Sequence, residues 1–162
     1  MSIIILQMRF LLLSPMIGLS LIMLGCTPPL HQQGLAQNKR GRGDADVIYA
    51  KTVENTDGSW TFHVTISHPD AGWDDYADGW DVVTPDGTVI KPESSAKFTR
   101  TLLHPHVNEQ PFTRSQSGIV IPPGVTKVRV RAHDIVDGYG GQEIIVNLET
   151  NKGNGYEVER LT

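Results

Sequence analysis

The chain reads as all-β, an immunoglobulin-like antiparallel β-sandwich of about seven strands, on three observations. Beyond Asp44, apolar residues alternate with polar ones at period two. Gly, Pro, Asn and Asp clusters punctuate these runs. No helical stripe of apolar residues occurs in the same stretch. A small β-barrel is the alternative closure of the same strands.

The first strand is expected at 46–54, ended by Asn55-Thr56-Asp57-Gly58. In the second, 59–68, Trp60, Phe62, Val64 and Ile66 share one face and Thr61, His63, Thr65 and Ser67 the other, as a half-buried strand requires. The third covers 79–84 and turns at Pro85-Asp86-Gly87. The fourth is interrupted, 88–91 with 97–104, and the fifth spans 113–121 before Pro122-Pro123-Gly124. In the sixth, 125–134, Val128, Val130 and Ala132 oppose Lys127, Arg129, Arg131 and His133. The seventh, 142–149, carries Ile144, Val146 and Leu148 on one face. The folded domain is thus expected at 45–150, with 151–162 as a C-terminal tail or edge strand.

The N-terminus has a different character. Arg9 precedes an apolar run from Phe10 to Leu24, then come Gly25, Cys26 and Thr27-Pro28-Pro29, the layout of a signal peptide over 1–25. Pro15 and Gly18 interrupt a run already short of the ~20 apolar residues of a membrane-spanning helix. The apolar start before Arg9 is a poor n-region, so translation from Met8 is expected. The stretch Leu21-Ile22-Met23-Leu24-Gly25-Cys26 resembles the lipobox of bacterial lipoproteins, although Met23 and Leu24 are bulkier than the commonest residues there. That resemblance implies acylation of Cys26, membrane attachment through the lipid, and a place in the bacterial cell envelope. Thr27 after the cysteine implies the outer membrane, facing the periplasm.

Cys26 is the single cysteine of the chain, so with lipid on it no disulfide can form and the fold must stand on its apolar core. Residues 26–44, rich in Pro, Gln, Gly and base, read as a flexible tether. Its Lys39, Arg40 and Arg42 either touch anionic lipid or are merely solvated. The formal net charge is −4, about −5 once Arg9 leaves with the leader, which offers nothing to nucleic acid.

Unusual residues concentrate in the connections 68–80, 104–114 and 133–141. If 88–104 is one interrupted strand, the parity of an antiparallel sandwich puts all three at one pole. His68, His104, His106, Glu109 and His133 would then meet, near Asp70, Asp74, Asp75, Asp78, Asp134 and Asp137, as a Cu²⁺ or Zn²⁺ site centred on the His104-Pro105-His106 pair. The competing reading is that these groups only cap turns. Trp73, Asp74, Tyr76, Arg114 and Tyr139 are the candidate contacts for an envelope protein or a glycan, since aromatics give large contact area at little entropic cost. The sequence lacks a Gly-x-Ser-x-Gly elbow, a phosphate-cradling Gly-Lys-Ser/Thr loop and a His-Glu-x-x-His motif. A triad drawing on Ser115 or Ser117 with His104 has little to distinguish it. A non-catalytic binding module without a required cofactor is therefore expected.

The stretches from Gly79 to Ser115 and from Val128 to Gly141 resemble a group of small exported bacterial domains of uncharacterised function. The resemblance implies export and a compact β domain, and carries no site residues.

Overall fold

A computed structural model describes residues 44–162. The signal peptide, the Met8 start, Cys26 and the tether up to residue 43 lie outside the described residues.

Ten strands form two five-stranded sheets: β1 (Asp46–Glu54), β2 (Trp60–Ser67), β3 (Ala77–Val83), β4 (Val89–Ile90), β5 (Arg100–Thr101), β6 (Phe112–Ile119), β7 (Lys127–Asp134), β8 (Ile144–Asn147), β9 (Lys152–Gly153) and β10 (Tyr156–Arg160). One sheet runs β6-β2-β1-β10-β9. The other runs β4-β3-β7-β8, with β5 also on β3. The sheets are open and face one another as a sandwich, not a closed barrel.

Period-two alternation builds the interface between them. Phe62, Val64 and Ile66 of β2 and Val128, Val130 and Ala132 of β7 point inward, and Trp80 of β3 is wholly buried among them. On β1 a bulge between Val47 and Tyr49 resets the register, so Val47, Ala50 and Thr52 all face the core.

Two expectations change. Pairing is not antiparallel throughout, because β10 lies parallel to β1, with Ala50 opposite Tyr156 and Glu54 opposite Arg160. Residues 151–162, expected as a tail or an edge strand, are paired in this sheet, with β9 at its edge. They supply β9 and β10, and Tyr156 and Val158 join the core.

The interrupted strand has a physical cause. β4 and β5 both pair antiparallel with β3, Ile90 opposite Val82 and Thr101 opposite Gly79, so they are two pieces of one edge. The chain between them leaves the edge and folds over the outer face of β3, which makes β3 buried at every residue. Buried Thr99 pins the excursion: its hydroxyl donates to the Ile90 carbonyl (2.5 Å) and accepts from the Val82 N–H (2.8 Å). Phe98 lies on Gly79, where an added Cβ would sit 2.0 Å from the ring.

Gly79→Ala should therefore cost about 1–3 kcal/mol by displacing the Phe98 ring. In a Phe98→Ala background the same change should cost clearly less. A double-mutant cycle from urea unfolding measures this; strictly additive costs would show that Phe98 is not what restricts Gly79.

Candidate functional site at the loop pole

His68 and Asp134 are placed by the alternation that builds the core. His68 follows Phe62, Val64 and Ile66 on the inner face of β2, and Asp134 follows Val128, Val130 and Ala132 on the inner face of β7. Each is the first polar residue after an apolar ladder, so the two sheets end at this pole in an imidazole and a carboxylate, 2 % and 0 % exposed.

Asp70 fixes the imidazole. Its Oδ1 lies 2.6 Å from His68 Nδ1 and accepts the Ala77 N–H at 3.1 Å, while Oδ2 accepts the His106 N–H at 2.5 Å. A carboxylate at Nδ1 assigns a proton to that nitrogen and leaves Nε2 for another partner. Nε2 faces Asp75 Oδ1 at 3.7 Å, beyond hydrogen-bonding distance. Asp75 closes a tight turn, its carbonyl accepting the Ala71 N–H (2.8 Å) and its N–H donating to the Gly72 carbonyl (3.3 Å). Asp134 Oδ1 accepts the N–H groups of Val136 (2.9 Å) and Asp137 (2.6 Å), and Oδ2 has no partner.

His68, Asp75 and Asp134 each offer a donor atom within 4.8 Å of the others, and so do Asp44, Asp134 and Asp137 beside them. Such a mixed nitrogen and oxygen set can hold a cation.

The connections 68–80, 104–114 and 133–141 thus meet at one pole, and of the expected histidines His68 alone joins the converging set. His133 points to the outer face of its sheet, where Nδ1 lies 2.5 Å from Asp78 Oδ1 and the ring touches Phe98 and Tyr139. His106 is sunk against Phe112, stacked at 3.8 Å, with neither ring nitrogen hydrogen-bonded. Exposed His104 leans on His106, ring centroids 4.5 Å apart, so the pair stacks and does not converge on a shared point. Glu109 pairs with Arg114 at 2.9 Å, and that guanidinium holds the carboxyl below its ordinary range. Among the described residues, none of these four belongs to a group of converging ligand atoms. Ser115 bonds His63 (2.7 Å) on the exposed face of the other sheet, away from His104.

The candidate contact residues divide similarly. Trp73 is 68 % exposed, edge-on to Tyr76 at 5.8 Å, beside exposed Asp74. Arg114 is engaged by Glu109. Tyr139 donates its hydroxyl to Asp81 (2.5 Å) under the Arg131 guanidinium, 3.8 Å from the ring; burial and the Asp81 carboxylate push its phenol well above the ordinary value.

No family model matches the chain, and no solved structure matches it. A protein of the archaeon Halomicrobium mukohataei, named "Putative lipoprotein", is 45% identical over 89 residues, or 55% of this chain. The chain spans 40% of that relative's length. That relative is archaeal, whereas the lipobox resemblance pointed to bacterial lipoproteins.

Burial, with the charges of Arg114 and His104, holds the His106 imidazole below its ordinary 6.5, against the opposing pull of Asp70 and Glu109. A lowered value means that the stability contributed is complete above the unfolded-state value and is lost as pH falls through 6.5 toward the folded value. His106→Phe keeps the Phe112 stack and the backbone bond to Asp70. It should stay within about 1.5 kcal/mol of the parent at neutral pH. It should also lose part of the parent's drop in stability between about pH 7 and pH 5. Urea midpoints at both pH values test this; an undiminished drop contradicts it.

Proposed function

We propose that the chain is an exported lipoprotein, anchored through lipid on Cys26, whose β-sandwich serves as a non-catalytic binding module at a membrane surface. The observation that carries the reading is the coincidence of two independent features. Gly25-Cys26 closes an apolar leader, and the 45%-identical relative is itself named a lipoprotein. The finer placement, in an outer membrane facing the periplasm, rests on Thr27 after Cys26 and applies to a cell with two membranes.

The loop pole supports the binding role. It combines a rigid interior, locked by Asp70, with exposed apolar groups at its rim: Trp73, Leu103, Val107 and Val136 are all more than half exposed. Rigid scaffolds that display aromatic and aliphatic groups on loops are suited to engage an envelope protein or a glycan.

The anchor is tested in cells. The parent should incorporate labelled palmitate and sediment with membranes, and Cys26→Ser should do neither while still being exported. Equal membrane partition of parent and variant would falsify lipid anchoring at this residue.

A further inference from the structure

We infer that the loop pole carries a site for a divalent transition-series cation, Zn²⁺ or Mn²⁺ in class, held by His68 Nε2, Asp75 Oδ1 and Asp134 Oδ2. This goes beyond the lipoprotein reading, since it needs neither the lipid nor a partner.

Three observations carry it. First, these three atoms are each buried and without a hydrogen-bond partner. Leaving so many polar atoms unpaired in one spot is costly, because each forfeits its hydration for nothing. Secondly, the same three side chains converge: His68 Nε2 and Asp75 Oδ1 are 3.7 Å apart, and His68, Asp75 and Asp134 each bring a donor atom within 4.8 Å of the others. An ion at ~2.1 Å from each of three donors holds them ~3.4–3.6 Å apart, so binding draws the set together by up to about 1.4 Å, a movement that falls to the 72–75 turn. Thirdly, the imidazole is oriented for the role: Asp70 holds Nδ1 and so aims Nε2 at the Asp75 carboxylate, where a cation would supply the positive charge that these acids lack.

The donor set selects the ion class. An imidazole nitrogen with two carboxylate oxygens suits Zn²⁺ or Mn²⁺, whereas Ca²⁺ asks for more oxygens and no nitrogen. The Asp70-His68 pair is the orienting carboxylate commonly found behind a metal-bound histidine. Asp44 and Asp137, clustered with Asp134, add negative potential on the approach. Three protein donors leave room for water or a ligand atom on the ion.

The test uses the full chain in detergent, stripped with chelator and titrated with Zn²⁺, Mn²⁺ and Ca²⁺, with uptake read by elemental analysis and stability by thermal unfolding. The parent should take up a single Zn²⁺ or Mn²⁺ per chain and gain Tm. Asp75→Asn, a change in an exposed turn that should not disturb folding, and Asp134→Asn should each lose affinity by more than the ~10–100-fold that removal of a supporting carboxylate costs. Without metal, the same variants should match or exceed the parent's Tm, because each relieves carboxylate repulsion. His106→Phe and Asp137→Asn should bind as the parent does. Absence of uptake and of any Tm gain overturns the proposal, as does binding undiminished in both Asp75→Asn and Asp134→Asn, or a site that takes Ca²⁺ and refuses Zn²⁺ and Mn²⁺.

Discussion

The Asp70 carboxylate is the contact on which the functional pole depends. It is wholly buried, and a buried carboxylate is tolerable only when its oxygens are well supplied with donors. Here the supply comes from three separate segments: the His68 ring at the end of β2, the Ala77 N–H at the start of β3, and the His106 N–H in the connection to β6. One side chain thereby fixes where two loops run, and it decides which His68 nitrogen points to the interior. The Gln110 side chain reinforces this by accepting the His68 N–H (3.0 Å).

The sheets were legible in the sequence because their faces differ in polarity at every second residue. Strands β2 and β7 need no tertiary information to be found. Where a strand is covered on both sides, as β3 is, alternation vanishes and the boundary drifts: Ala77 and Asp78 belong to β3 although they read as loop. β10 was harder still. Tyr156 and Val158 give a single repeat of the pattern, and the parallel pairing that buries them against β1 links residues about a hundred positions apart, a separation that no local signal reports.

The pole shows the same limit from another side. Six histidines draw attention because they are rare, so His68, His104, His106 and His133 stand out as ligands, while Asp75 and Asp134 are only two among the several acids nearby. Yet parity already contained the answer. The alternation that puts Val128, Val130 and Ala132 inward continues to Asp134, and necessarily turns His133 outward. His68 follows from Ile66 by the same step. What parity could not provide is Asp75, which reaches the pole through the 72–75 turn and not through a strand.

The two ends of that step on β7 make an instructive pair. On the outer face, the buried acids Asp78 and Asp81 are fully matched: Asp78 by His133 and Lys97 (2.8 Å), Asp81 by Tyr139, the Thr99 N–H (3.0 Å) and Arg131 (3.4 Å). On the inner face, a few residues away, Asp75 and Asp134 converge with the His68 imidazole, and neither a lysine nor an arginine ion-pairs with them among the described residues. Loops of similar composition thus give every oxygen of Asp78 and Asp81 a partner on one side and leave Asp75 Oδ1 and Asp134 Oδ2 without one on the other. Folding alone gives no reason for that asymmetry, since a buried unmatched carboxylate destabilises wherever it sits. The difference is intelligible if the inner pair is matched by a charge that comes from outside the chain.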